Sequence, residues 1–118
     1  MKESDLKCRT KAFAVRIIKL HSALPKSVEA QVIEKQLLRS GTSVGAHYYE
    51  AQRAKSNADF ISKIEGGLQE LEETVYWLEL LTECDIVPAE RLKLLRDEAE
   101  ELTAILVTAV KHAKVRTS

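Results

Sequence analysis

The chain has 118 residues, and its formal net charge is zero because 18 Lys and Arg residues balance 18 Asp and Glu residues. This length suits a single domain, and a hydrophobic content of 45% is enough for a packed core, which excludes a disordered or collagen-like chain. Only four Gly and two Pro are present, too few for the many tight turns of an all-β protein, so the composition favours long amphipathic helices.

The first predicted helix covers residues 5–23, where inward-facing residues recur at alternating spacings of four and three. Pro25 ends this helix, because the residue before a proline avoids the α region, and Ser27 can cap the next helix. The basic side chains of the segment lie off the inner stripe, so we expect a basic outer face. The stripe itself consists of Leu6, Thr10, Phe13, Ile17, Leu20 and Leu24.

The second predicted helix covers residues 28–54 and is the least regular of the four. Small residues and two glycines occupy positions 40–45, and each glycine costs about 1 kcal/mol relative to alanine inside a helix. Either a turn interrupts the helix here, or the small residues let a neighbouring helix approach closely. Because the apolar periodicity continues on both sides, we favour an unbroken or kinked helix in which Gly41 and Gly45 contact another helix.

The third predicted helix covers residues 57–84 and begins after a capping box at residues 56–59. Two apolar stripes run along it, one of them at heptad spacing, and Gly67 inside this pattern indicates close helix packing. Two stripes require packing on more than one side, either as a wide bundle face or between subunits. The candidates for a subunit interface are Phe60, Tyr76, Trp77 and Leu81.

The fourth predicted helix covers residues 88–114, with Pro88 in its first turn. Four helices joined by short loops predict an all-α fold, an up-down-up-down antiparallel four-helix bundle that forms one domain over residues 1–118. No apolar stretch is long enough to span a membrane, and no hydrophobic region of a signal peptide follows the first residues. We therefore expect a cytoplasmic protein.

Signatures of catalysis or metal binding are missing from the sequence. None of the three histidines has a glutamate three residues before it, so the Glu-x-x-His pairs of di-metal bundles do not occur. Cys8 and Cys84 fit neither a zinc site nor a redox motif, and we expect two reduced, semi-buried thiols. With no nucleophile motif or phosphate loop either, the sequence predicts a protein that is not an enzyme and uses no metal or cofactor.

The charges are unevenly distributed along the chain. Residues 1–59 carry eleven basic and six acidic side chains, whereas residues 60–118 carry seven basic and twelve acidic ones. Either the two halves pair electrostatically, within or between subunits, or the basic part binds an anionic partner. Arg39 is expected to pair with a glutamate of the third helix. The candidates for phosphate contacts, for which a solvated helix face is the alternative, are Lys7, Arg9, Lys11, Arg16, Lys19, Arg53 and Lys55.

Aromatic side chains offer a second route to nucleic acids, because bases stack on exposed rings. Tyr48, Tyr49, Tyr76 and Trp77 are the candidates. Aromatic residues at helical spacing more often belong to a core or an interface, however, and Trp77 is our candidate for a contact between subunits.

Two segments resemble a known family signature. Residues 37–46 read Leu-Leu-Arg-Ser-Gly-Thr-Ser-Val-Gly-Ala and are followed by Tyr-Glu-Ala at residues 49–51. Residues 59–63 read Asp-Phe-Ile-Ser-Lys and lead to Tyr-Trp-Leu-Glu-Leu-Leu at residues 76–81. In their order, separation and composition, these motifs resemble the bacterial four helix bundle protein family, also called 23S rRNA intervening sequence or S23-type proteins. The resemblance covers nearly the whole chain.

That family is similar to the accessory variability protein of diversity-generating retroelements. The resemblance therefore implies a homopentamer of bundles that binds RNA or DNA through basic surface and has no enzymatic activity. The chain departs from those strongly basic proteins, because it is neutral and its third and fourth helices are acidic. We expect a non-enzymatic, oligomeric nucleic-acid-binding accessory or scaffold protein. The alternative is a protein-interaction module without nucleic-acid binding, for example a partner of a reverse transcriptase.

Overall fold

Four α-helices and their connecting loops form the computed structural model, which describes residues 3–117, with side chains for residues 5–116. The helices are α1 (Glu3–Ala23), α2 (Val28–Ala51), α3 (Asn57–Glu83) and α4 (Ala89–Thr117), and no strand occurs among the described residues. Each helix packs antiparallel on the next one along the chain, whereas α1 and α4 touch at few positions. The predicted four-helix bundle is thus confirmed, with a length of 49 Å and a width of 22 Å.

Serine caps determine where α2 and α3 begin. The Ser27 hydroxyl accepts a hydrogen bond of 3.2 Å from the N–H of Ala30, and the Ser56 hydroxyl accepts one of 3.0 Å from the N–H of Asp59. α2 ends three residues before its predicted end at residue 54, because the N–H groups of residues 53 and 54 donate to carbonyls three residues earlier, as in a turn.

One apolar cluster, to which all four helices contribute, forms the core. Burying a side chain of this size contributes about 1.5–3 kcal/mol relative to leaving it exposed, so these contacts hold the helices together. Among the described residues, no helix is both long enough and apolar enough to cross a membrane. The largest fully buried side chains include Phe13, Ile17, Leu37, Leu71, Leu78, Leu92, Leu102 and Leu106.

α2 runs without interruption through its two glycines, as the continuing apolar periodicity favoured. A Cβ added at Gly41 would lie 2.7 Å from Cγ1 of Ile17, so α1 can approach α2 this closely only where the side chain is absent. A Cβ at Gly45 would lie 3.4 Å from the carbonyl oxygen of Thr10, and Gly67 of α3 lies similarly against α2. All three glycines that we assigned to helix packing therefore lie where two helices meet.

Two expectations from the sequence are wrong. Leu81, a candidate for a subunit interface, is 0% exposed and belongs to the core of its own chain, so it offers no surface to another chain. Gly67 and Thr74, which precede Leu81 at spacings of seven on the same stripe, are also buried, so this part of the stripe faces the core. Cys8 and Cys84, expected to be semi-buried, are exposed free thiols. Cys8 follows the inward-facing Leu6 by two residues and so points to the opposite side of α1, and Cys84 lies just beyond α3.

Candidate nucleic-acid interface

Three of the predicted phosphate-binding cations lie on one surface, two of them over an aromatic ring. Lys7 and Lys11 lie one turn apart on α1, Tyr49 lies in the last turn of α2, and Arg53 follows that helix. The Lys7 ammonium is 5.2 Å from the centre of the Tyr49 ring, and the Arg53 guanidinium carbon is 4.5 Å from it. Arg53 also donates a hydrogen bond of 3.0 Å to the Tyr49 hydroxyl. We call the surface formed by these four residues the α1–α2 face.

No acidic side chain in residues 5–116 neutralises the charge of the α1–α2 face. Within the described part of the chain, Lys7, Lys11 and Arg53 take part in no ion pair. Lys7 and Arg53 are held by the ring through cation–π contacts, which orient a cation without cancelling its charge. The face therefore keeps three positive charges available for an anionic ligand.

A groove of about 250 Å³ lies beside these cations, between α1 and α2. Its floor is made of small side chains, and Lys7, Lys11 and Tyr49 form its rim. We call this cavity the α1–α2 groove. A largely apolar floor under a cationic rim suits a ligand that combines a flat apolar part with a negative charge. The floor residues are Thr10, Ala14, Thr42, Gly45 and Ala46.

Arg9, one of the predicted phosphate contacts, pairs with acidic residues of α4. Its guanidinium donates hydrogen bonds of 2.5 and 3.0 Å to the two carboxylate oxygens of Glu98, and a longer one of 3.4 Å to Glu101. The hydrogen bonds to Glu98 raise the pKa of Arg9 above its usual value. Because this bidentate pair neutralises the guanidinium, Arg9 is a link between α1 and α4 and is removed from the set of free cations.

The remaining predicted cations are exposed but lie apart from the α1–α2 face. Arg16 follows Arg9 by two turns and therefore shares its side of α1, towards α4. Lys19 lies on the outer side of α1, and Lys55 lies in the loop before α3. None of these three has an ion pair among the described residues, so each can add to the positive potential without belonging to the groove.

Arg39 links α2 to α3, as expected from the sequence. It donates hydrogen bonds to both Glu70 and Glu73, and the indole N–H of Trp77 donates one of 2.8 Å to Glu73. The hydrogen bond from Trp77, followed by that from Arg39, lowers the pKa of Glu73 below its usual value. This network therefore stabilises the bundle above the usual pKa of a glutamate, and that contribution is lost as the pH falls through the lowered pKa of Glu73.

The other candidates for a subunit interface are less buried than Leu81. Tyr76 is 55% exposed, and its ring meets the Trp77 ring edge-on with 5.0 Å between their centres. Trp77 and Phe60 are both partly buried against the core. Tyr76 is therefore the member of the predicted set with the most surface to offer a second chain.

Two features of the site become visible only in the structure: the contact between Tyr49 and Arg53, and the groove between α1 and α2. From the sequence, Tyr49 is a candidate only for base stacking. Its spacing of four from Arg53 nevertheless indicates that the two side chains meet on one helix face. The groove itself depends on which small residues of α2 face α1, and that depends on how the helices pack. Among the described residues, no group of three or more His, Cys, Asp or Glu side chains could hold a metal ion.

Comparisons with known proteins point to the family suggested by the motifs. The model of the 23S rRNA-intervening sequence protein family matches residues 2–108. A crystal structure of a protein of unknown function from the S23 ribosomal protein family of Bacteroides thetaiotaomicron is 40% identical to the chain and superposes with a TM-score of 0.88. That match covers 94% of this chain and 99% of the other. A comparison with curated proteins gives no significant match.

Proposed function

The chain belongs to the 23S rRNA-intervening sequence protein family, and we propose that it is a non-enzymatic, nucleic-acid-binding accessory or scaffold protein that uses its α1–α2 face. The observation that carries this proposal is a set of three cations without an ion pair among the described residues: Lys7 and Arg53 lie over the Tyr49 ring, and Lys11 borders the same groove. A neutral chain can bind a polyanion when its positive charges are separated from its negative ones in this way.

Separation of the charges follows from the helix pairing. Where basic residues of α1 and α2 meet acidic residues of α3 and α4, they form ion pairs, as Arg9 does with Glu98 and Arg39 does with Glu70. The cations at the α1–α2 contact lie away from the acidic helices and form no ion pair with any side chain that the structure describes. In this proposal each alternative for the charge pattern applies to its own set of residues.

Binding would be electrostatic and would not depend on base sequence. Lysine and arginine contacts to phosphates release condensed counterions, which supplies most of the non-specific affinity for nucleic acids. Such contacts orient a protein on the strand, whereas sequence is read at base edges. An accessory or scaffold role, in which the protein holds nucleic acid for another component, matches this kind of binding.

A salt series tests the proposal. Nuclease-treated protein is titrated against a labelled structured RNA and a duplex DNA between 50 and 200 mM salt. Three phosphate contacts per chain predict a slope of about −2.7 in log affinity against log salt, or a loss of about 40-fold over this range for the duplex. Absence of binding even at 50 mM salt would contradict the proposal and favour the protein-interaction module, with a reverse transcriptase as a candidate partner.

We also propose that the chain assembles into a homo-oligomer, pentameric by the family resemblance. Exposed apolar side chains, including Tyr76 and Leu94 at 55% and 73% exposure, support this proposal. Native mass spectrometry of the purified chain should show one main species above the mass of a monomer, and Tyr76→Ser should shift it towards the monomer. A wild-type protein that remains monomeric at tens of micromolar would contradict this expectation.

A further inference from the structure

The α1–α2 groove has the features of a site for a single unpaired nucleotide. We propose that the base of one unpaired nucleotide enters this groove against Tyr49, while Lys7 and Lys11 contact the adjacent phosphates. This inference rests on the proposed function and refines it, because it identifies the ligand of the α1–α2 face as a single strand and not a duplex.

The groove is large enough to admit a base. Its volume of about 250 Å³ equals that of roughly eight water molecules in the liquid, which is room for one planar heterocycle. The floor of Thr10, Ala14, Thr42, Gly45 and Ala46 has no bulky side chain that would have to move. A flat apolar ring therefore finds the floor already formed, and stacking on Tyr49 requires Lys7 or Arg53 to leave a face of the ring.

Tyr49 is distinguished from the other candidate aromatic residues by its surroundings. It is 43% exposed and lies beside cations, so both a base and a phosphate can be attracted to the same place. Tyr48 is only 4% exposed and belongs to the core. Tyr76 adjoins a surface depression that also contains Glu72 and Glu73, where a phosphate would be repelled.

The rim supplies the charge complementarity that identifies the ligand. Lys7 and Lys11 border the groove, and Arg53 borders Tyr49 from beyond the end of α2. Because cation–π contacts and not salt bridges orient Lys7 and Arg53, a phosphate can bind either of them without displacing a carboxylate. An apolar pocket between such cations matches a base flanked by its own two phosphates.

A duplex lacks the group that fills this groove. Its phosphates can still meet the three cations, but its base faces are stacked and only base edges reach the grooves of the helix. Proteins that bind single strands combine a basic track with aromatic stacking, and each stacked base contributes about tenfold or more in affinity. The α1–α2 face should therefore prefer an unstructured strand over a duplex of equal length at equal salt.

The test separates the groove from the charges around it. Affinities for an oligouridine and for a duplex RNA of the same length are measured at one salt concentration. Ala46→Leu, which fills the groove with a good helix former and changes no charge, should weaken oligouridine binding about tenfold and duplex binding less than twofold. Ala12→Leu, at an exposed position of α1 outside the groove, is the matched control and should change neither affinity.

Substitutions at position 49 test the ring itself. Tyr49→Phe keeps the aromatic ring and should retain the preference for oligouridine, whereas Tyr49→Ala should lose about tenfold for oligouridine only. Equal losses for strand and duplex, or no loss with Ala46→Leu, would overturn the nucleotide site and leave the electrostatic proposal intact. If wild-type protein binds neither probe, both proposals are rejected.

Discussion

Replacing Lys7, Lys11 and Arg53 together by glutamine should weaken nucleic-acid binding at 50 mM salt by about a hundredfold or more. Each lost phosphate contact lowers the salt slope by about 0.9 for duplex DNA, so the variant should bind almost independently of salt. All three side chains are exposed, and surface substitutions of this kind usually change the free energy of unfolding by less than about 0.5 kcal/mol each. Fluorescence anisotropy across the salt series measures both effects.

A second triple variant provides a control with the same change in net charge. Arg91, Lys93 and Arg96 lie in the first turns of α4, where Lys93 pairs with Asp97 and Arg96 approaches Glu79. Their replacement by glutamine should change affinity less than about threefold, because these cations are remote from the α1–α2 face. If both triple variants lose affinity equally, net charge alone governs binding and the assignment of the face is wrong.

Gly41→Ala should lower the free energy of unfolding by about 1–2 kcal/mol, although alanine is the better helix former. The new Cβ would lie 2.7 Å from Cγ1 and 2.9 Å from Cγ2 of Ile17, a fully buried and stiff β-branched side chain. Overpacking of this kind costs about 1–3 kcal/mol, which outweighs the gain of up to about 1 kcal/mol in helix propensity. Urea denaturation followed by circular dichroism measures the change.

A double-mutant cycle identifies the cause. Ile17→Ala alone should cost about 2–5 kcal/mol because it leaves a cavity, but it also removes the two nearest of the three atoms that a Cβ at position 41 would meet and leaves only the Cβ of residue 17 at 3.2 Å. In that background Gly41→Ala should stabilise the protein by up to about 1 kcal/mol, giving a coupling of about 1–3 kcal/mol. Gly45→Ala, whose Cβ has an ordinary contact with Thr10, is the control and should be neutral or stabilising. Additive effects in the cycle would disprove the steric explanation.

The helices were predictable because each of them keeps a regular pattern of inward-facing residues, and Ser27 and Ser56 have the cap positions that the sequence indicated. The partner that each basic side chain contacts was not predictable in the same way. Lys7 and Arg9 differ by only two residues, yet two residues rotate a helix by about 200° and direct them to opposite sides of α1. One side meets α4 and its carboxylates, and the other meets Tyr49.

For Leu81, the sequence does not show whether the side chain is buried within its own chain or between chains. A wide apolar face on α3 is compatible with burial in the bundle or between chains. Only the packing of all four helices determines which residues of that face stay exposed. The structure buries Leu81 and leaves Tyr76 exposed. Periodicity therefore indicates how much surface needs a partner, but it does not say whether that partner belongs to the same chain.

Local opening of the bundle should be most frequent where α1 meets α4, because this pair of adjacent helices is in contact at fewer positions than the other three adjacent pairs. A cavity of about 390 Å³ lies between them, so few side-chain contacts resist their separation there, and the Arg9–Glu98 pair spans the gap. Local opening takes the route that breaks the fewest contacts. Because the α1–α2 groove is on the other side of α1, where Gly41 fits against Ile17, a movement of α4 away from α1 can leave the α1–α2 contact and the groove intact.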